Sequence, residues 1–259
     1  MADPHALLRF GDLDGARAAL VEIVRNQPAY ADGRMFLFQL FAVLGERDKA
    51  ELQLATLAKL SPEAQMLAVA YGQAIAAERE RAAILGGNGT VHVHGASEGW
   101  PHQLAEAIGC MARGDTAQAI SLRDAAFDQA GDTPGTIDGL TFDWIANADA
   151  RFGPTLEAII GGRWGILPFE VVEKITSPGV RDLRDLVWFP VEIAFRTGQS
   201  VAGFLPGRYP FTETRGSTAE KLGRATKWSD SGDGLGQQMI ALSGGEEIGL
   251  LSIRTLVFG

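Results

Sequence analysis

Apolar residues in the first half of the chain recur at helical spacing, and short glycine-containing steps interrupt them at regular distances. The step Gly11–Ala16 (GDLDGA) returns as Gly45–Ala50 (GERDKA) 34 residues later, and Pro28 and Pro62 have the same separation. A third copy, Gly114–Ala119 (GDTAQA), follows 69 residues after the second, which is close to two periods. A 34-residue period of paired helices is typical of tetratricopeptide (TPR) repeats, so we predict TPR-like helical hairpins.

The residue types of this step suit a turn between two helices. Glycine ends the first helix and permits a tight turn, while the acidic residue after it can cap the second helix. The small Ala16 and Ala50 allow two helices to approach closely, and proline ends the unit because it cannot continue a helix. Phe38 stands where such repeats usually have glycine, and we expect its ring to push the helices apart. The repeats are therefore predicted to be degenerate; a plain helical bundle is the alternative.

The second half has a different pattern, in which runs of apolar and β-branched residues alternate with glycine turns. Three pairs of runs are predicted to form β-hairpins around the turns Gly161–Gly162, Thr197–Gln199 and Ser243–Gly245. The predicted strand runs are 156–160, 163–167, 187–196, 200–205, 235–242 and 247–257. We expect at least six antiparallel strands, and a small barrel or sandwich would remove their exposed edges.

Composition changes at the same place. Residues 1–130 contain 28 alanines and 12 glycines, whereas residues 131–259 contain 9 alanines and 20 glycines. Because alanine favours helices, the predicted fold class is α+β, with an N-terminal TPR-like helical repeat domain followed by a C-terminal antiparallel, barrel-like β-rich domain. The predicted divisions are 1–86 for the helical repeats, 87–101 for a glycine-rich linker, 102–132 for a further helical hairpin packing on the repeats, and 133–259 for the β-rich domain.

Charge, cysteine content and missing motifs exclude several classes of function. The formal net charge is −9 and there is no Lys/Arg cluster, so the chain is not expected to bind nucleic acid. Cys110 is the only cysteine, which excludes an internal disulfide and a multi-cysteine metal site. We see neither a secretory signal nor the run of about 20 apolar residues that a spanning helix needs, and therefore expect a cytoplasmic protein with no membrane span. Phosphate and dinucleotide loop motifs are absent, so no cofactor is expected.

One acidic segment offers candidate catalytic chemistry. Asp138, Asp143 and Asp149 lie near Arg151, and carboxylates buried together with different pKa values could support acid–base catalysis. The simpler interpretation is structural, with Asp138 in a turn and Asp149 paired to Arg151. In that interpretation three neighbours pack in the core, namely Phe142, Trp144 and Ile145. We favour the structural interpretation and predict no catalytic residues.

The pair His92 and His94 is the other candidate. On a strand the two imidazoles would point to the same face, as two metal ligands could. A zinc site needs at least one more protein ligand, and the sequence contains no HExxH helix. We therefore predict no metal site and interpret the pair as part of a solvated loop.

Several segments together resemble a known family. The segments are 36–45 (FLFQLFAVLG), 133–139 (TPGTIDG), 142–146 (FDWIA), 181–188 (RDLRDLVW), 208–210 (RYP) and 234–237 (GLGQ). All occur in the same order as in the ImpE/TagJ family of type VI secretion accessory proteins, which includes SciE-type virulence proteins. The chain is similar to this family over almost its whole length.

The resemblance implies a protein that binds other proteins and is not an enzyme. Members of this family are cytoplasmic accessories that bind the N-terminal helix of the small, TssB-like sheath subunit and are linked to sheath recycling by a ClpV-type ATPase. Helical repeats form a concave surface that suits an amphipathic helix. Four residues of the second repeat are predicted to face it: Met35, Gln39, Ala42 and Val43. The alternative interpretation of Met35 and Val43 is that they pack in the core. The alternatives are a generic TPR peptide-binding adaptor and an enzyme that uses the three aspartates.

Overall fold

The computed structural model describes residues 3–95 and 98–259, and its first half is helical. None of the helices in these two ranges combines the length and the apolar character needed to cross a membrane. The helices of this half are α1 (Pro4–Arg9), α2 (Leu13–Asn26), α3 (Ala31–Leu44), α4 (Arg47–Leu60), α5 (Glu63–Leu85), α6 (Trp100–Arg113) and α7 (Thr116–Gln129).

The repeated glycine steps are the turns of three helical hairpins. Gly11, Gly45 and Gly114 separate α1 from α2, α3 from α4 and α6 from α7, with φ angles of +81°, +73° and +87°. These angles lie in the left-handed region, which glycine adopts without steric cost, so the predicted turns are confirmed. Capping differs among the copies: the Asp12 carboxylate accepts from the Gly15 N–H at 2.8 Å, but Glu46 makes no side-chain cap.

Phe38 does not separate the helices as the sequence suggested. Its ring is fully buried and contacts Tyr71 of α5 and Trp188 of the second half, with ring centroids 5.7 and 6.4 Å apart. Helices α3 and α4 still pack against each other. The bulky residue therefore points into the core between the helices and the sheet, where its burial stabilises their contact.

The second half consists of short strands with two one-turn helices. The strands, including one from the first half, are β1 (His92–Val93), β2 (Gly135–Ile137), β3 (Leu140–Phe142), β4 (Ile145–Asn147), β5 (Thr155–Ile160), β6 (Arg163–Pro168), β7 (Val172–Thr176), β8 (Trp188–Phe195), β9 (Ser200–Pro206), β10 (Thr226–Trp228), β11 (Gly234–Gly236), β12 (Met239–Leu242), β13 (Glu247–Gly249) and β14 (Thr255–Phe258). The helices are α8 (Thr212–Arg215) and α9 (Thr218–Lys221).

The predicted α+β class and the three hairpins are confirmed. The main sheet has nine strands in the order β1-β6-β5-β9-β8-β7-β14-β2-β3, and a smaller sheet has the order β13-β12-β4. Within the described residues the main sheet ends at β1 and β3, so it is open and not a closed barrel. The predicted hairpins are β5–β6, β8–β9 and β12–β13. The run predicted as one strand over 247–257 is two strands, and β14 returns to pair with β2 and β7. The run predicted as one strand over 235–242 is also divided, into β11 and β12, which belong to different sheets.

The glycine-rich segment after α5 includes a strand that the sequence did not predict. His92 and Val93 of β1 pair in parallel with Gly165 and Ile166 of β6. A Cβ atom at Gly165 would collide with the carbonyl oxygen of His92, so glycine is needed for this close approach. The segment is thereby attached to the edge of the main sheet.

A buried ion pair joins the helices to the sheet. Arg81 of α5 and Glu157 of β5 form two bonds of 2.7 Å, Nε to Oε1 and Nη2 to Oε2. Trp164 and Gln238 also donate to the Glu157 carboxylate, at 3.0 and 2.7 Å, and Arg81 donates to the Arg208 carbonyl at 2.9 Å. Burial alone would lower the pKa of Arg81, but Glu157 and Glu78 hold it above its ordinary value. The further hydrogen bonds of the pair come from separate segments of the chain, so the pair fixes the positions of these segments relative to one another.

Removal of one partner tests this arrangement. Glu157→Gln removes the bidentate counter-charge of the buried Arg81 and leaves it the longer contact with Glu78 (3.4 Å), and we expect it to lower the free energy of unfolding by about 3–5 kcal/mol. The matched control is Glu22→Gln, which breaks the exposed pair with Arg25 (3.0 Å) and should cost less than about 1 kcal/mol. Urea denaturation at neutral pH measures both changes. Equal losses in the two variants would contradict a structural role for the buried pair.

Candidate functional site

An open cleft of about 710 Å³ lies between the first three helices and two segments of the second half. One wall is formed by α1, the floor by α2 and α3, and the opposite wall by residues 181–183 and 222–224. Its lining is mainly apolar, with charged groups at the rim. The lining residues are Pro4, His5, Leu8, Arg9, Leu20, Ile23, Tyr30, Asp32, Gly33, Met35, Phe36, Gln39, Arg181, Asp182, Leu183, Leu222 and Arg224.

Direct contacts hold the walls of the cleft to its floor. The His5 ring stacks on Phe36 with centroids 4.4 Å apart, which places α1 on α3. From the other side, the Leu183 N–H donates to Gln39 Oε1 at 3.1 Å. Arg184 Nη1 lies 3.6 Å from Met35 Sδ. Helix α3 therefore contacts both walls, and the cleft exists only where the two halves of the chain meet.

The turn 181–186, which contributes residues 181–183 to the opposite wall, is held rigidly by its own hydrogen bonds. Asp185 accepts from the N–H groups of Arg181 and Asp182 at 2.8 and 2.9 Å, as part of a capping box on a short 3-10 turn. Arg184 pairs with Asp182 at 2.6 Å and lies 4.8 Å over the Tyr71 ring. Burial raises the pKa of Tyr71 to about 12, so the phenol stays neutral beneath this cation.

The four predicted binding residues divide into two pairs. Met35 and Gln39 lie in the cleft, where Met35 is partly exposed. Ala42 and Val43 are one turn further along α3 and are buried, and the Val43 carbonyl accepts from Arg208 Nη1 at 2.9 Å. The second half of the chain therefore covers the part of α3 that carries Ala42 and Val43 and leaves the part that carries Met35 accessible.

Two of the three aspartates have separate partners, and the third is exposed. Asp138, in the turn between β2 and β3, accepts from the Thr255 N–H at 2.7 Å. Asp149 is fully buried and binds Arg151 (2.9 Å) and the Gly234 N–H (2.9 Å), which confirms the predicted ion pair. Asp143 is exposed. Among the described residues, no three His, Cys, Asp or Glu side chains form a group that could hold a metal ion.

The expected core packing beside these aspartates is partly correct. Phe142 and Ile145 are buried, as predicted. Trp144 is not: its side chain is 41% exposed, because it lies in the short connection between β3 and β4. Strands β3 and β4 have only three residues each, so the sequence pattern did not show that Trp144 lies between them.

The two histidines are adjacent but do not form a solvated loop. Their ring centroids are 4.6 Å apart, and His94 is 6% exposed. Burial lowers the pKa of His94 to about 4, and the charge of the neighbouring His92 acts in the same direction to a smaller extent. Burial also lowers the pKa of His92. Both imidazoles are therefore neutral near pH 7 and belong to the packing of β1 on the sheet.

Comparison with known proteins decides the family. Residues 139–257 match the family model described as ImpE protein. Over 252 residues the chain is 40% identical to the type VI secretion system accessory component TagJ of Pseudomonas aeruginosa, which covers 97% of this chain and 89% of that protein. The chain belongs to the ImpE/TagJ family. The resemblance found in the sequence is thus confirmed.

A solved structure has the same fold as this family member. A crystal structure of a protein from Vibrio parahaemolyticus superposes with a TM-score of 0.87, at 22% identity, covering 100% of this chain and 98% of that one. Because the superposition includes both halves, the arrangement of helices on the sheet is common to the two folds.

Sequence reasoning missed the wall opposite α1. Arg181, Leu183 and Arg224 are far from α3 in sequence and reach the cleft only through the packing of the second half. One local signal was present, since Asp182 followed three residues later by Asp185 is compatible with a capped turn. That signal predicts a rigid turn but not the surface on which the turn packs.

Acid should destabilise the fold through His94. An unfolded chain takes up this proton near pH 6.5, whereas the folded protein takes it up only near pH 4. The neutral His94 therefore contributes fully to the free energy of unfolding above pH 6.5. This contribution, at most about 3 kcal/mol, is lost as the pH falls towards 4. Urea denaturation at pH 7.5 and 4.5 should show a smaller loss of stability in His94→Gln than in the unmodified protein. Identical losses would refute this assignment.

Proposed function

We propose that the protein is a non-enzymatic accessory component of a type VI secretion system that binds the N-terminal helix of the small, TssB-like sheath subunit. The support from comparison is the 40% identity to the Pseudomonas accessory component over nearly the whole chain. The support from geometry is the cleft of about 710 Å³ on α3, which is the observation that carries the proposal.

The shape and lining of the cleft suit a helix. An amphipathic helix binds by laying residues at i, i+3, i+4 and i+7 into an apolar groove. The floor offers the partly exposed Ile23, Met35 and Phe36, and the exposed Arg9 and Arg181 also line the cleft. Methionine adapts its shape to different apolar partners, and the partly exposed Met35 would contact the bound helix directly.

Three further features complete the proposal. The non-enzymatic role is supported by the separate partners of Asp138 and Asp149, which leave these carboxylates engaged in structural bonds. A cytoplasmic location and a link to a ClpV-type ATPase that recycles contracted sheath are proposed from the similarity to a secretion accessory component. Capture of a sheath subunit by its terminal helix would leave the rest of that subunit free to contact other components.

A charge on the floor of the cleft should block binding. Met35→Glu places a carboxylate in the apolar contact, where the helix would desolvate it, and we expect at least about tenfold weaker binding. The neighbouring Arg184, 3.6 Å from Met35 Sδ, can pair with the new carboxylate, so the variant should fold. Fluorescence anisotropy with a labelled peptide of the sheath-subunit N-terminal helix measures the Kd.

Met66→Glu is the matched control, because Met66 is 81% exposed on α5 and does not line the cleft. It should bind the peptide as tightly as the unmodified protein does. Equal affinities of the two variants would exclude the cleft as the binding site. Failure of the unmodified protein to bind the peptide would exclude the proposed function itself.

A further inference from the structure

The rim of the cleft carries positive charge on a protein that is acidic as a whole. The formal net charge of the chain is −9, yet three arginines line this one cleft: Arg9, Arg181 and Arg224. Two acidic residues also line it, Asp32 and Asp182, and Asp182 is already paired with Arg184 at 2.6 Å. The formal charge of the cleft lining, three arginines against two aspartates, is therefore positive, whereas that of the whole chain is negative.

The three arginines are not equally available. Arg224 donates weakly to the carbonyl oxygens of Leu8 (3.3 Å) and Arg9 (3.5 Å), and so holds the end of α1 against the opposite wall. The side chains of Arg9 and Arg181 are exposed. Within the two described ranges, neither guanidinium forms a salt bridge with a carboxylate, whereas the neighbouring Arg184 forms two. Among the described residues, one guanidinium on each wall is thus not paired with a carboxylate.

We propose that the helix captured by this cleft carries carboxylates beside its apolar face, and that these pair with Arg9 and Arg181. This inference rests on the proposed function, because it specifies the chemistry of the same partner. Apolar burial on the floor would supply the affinity. The two arginines would select acidic partners and fix the direction of the helix, since complementary charges at a rim mainly affect association rate and specificity.

Salt dependence follows from the same geometry. Charges at an exposed rim are screened when the Debye length falls from about 10 Å at 0.1 M salt to about 3 Å at 1 M. Binding of an acidic helix should therefore weaken with salt, and removal of both arginines should abolish most of that dependence. A helix held by apolar contacts alone would show little weakening.

The experiment uses the full chain and two synthetic peptides. One peptide has the natural sequence of the sheath-subunit N-terminal helix, and the other has every Asp and Glu replaced by Asn and Gln. We expect the amide peptide to bind the unmodified protein about tenfold more weakly at 50 mM NaCl. The double variant Arg9→Gln/Arg181→Gln should bind both peptides with the same, weaker affinity and little dependence on salt.

Arg25→Gln is the matched control, because Arg25 is an exposed arginine of α2 that does not line the cleft. It should retain the preference for the acidic peptide. Equal binding of both peptides to the unmodified protein, or an unchanged preference in the double variant, would overturn the charge inference alone. Binding of neither peptide would overturn the proposed function and this inference with it.

Discussion

The buried contact between Arg81 and Glu157 is the constraint on which the arrangement of the two halves depends. A guanidinium and a carboxylate removed from water are stable only when they pair and when their remaining bonds are satisfied. Here those bonds come from Trp164, Gln238 and the Arg208 carbonyl, which belong to separate segments of the chain. A shift of α5 relative to β5 would leave charged or polar groups unpaired, so the contact between these two elements has one favourable geometry.

The cleft lies elsewhere along the same junction of helices and sheet. Helix α3 packs Phe38 into the core with Tyr71 and Trp188, while its partly exposed Met35 faces the open space. The second half covers the end of α3 near Val43 and supplies a wall at 181–183. The lining of the cleft therefore belongs to neither half alone. A helical repeat array cut away from the sheet would lose one wall and expose the buried end of α3.

Local features of this fold could be predicted from the sequence, and distant contacts could not. Glycines at Gly11, Gly45 and Gly114 were recognisable as turns because a left-handed φ angle is a property of a single residue. The contact of Gln39 with Leu183 joins residues that no periodicity relates. For the same reason the lining of the candidate cleft was only partly predictable: repeat register indicated Met35 and Gln39, while the arginines on the opposite wall required the assembled fold. That these residues bind a partner stays a prediction.

A crystal structure of the full protein bound to a peptide of the sheath-subunit N-terminal helix tests the central claim most directly. The account predicts a helix lying in the cleft, in contact with Met35 and Phe36 on the floor and with the 181–183 segment on one side. A peptide seated on another surface, with the cleft empty, would contradict the claim that the junction of helices and sheet is the binding site.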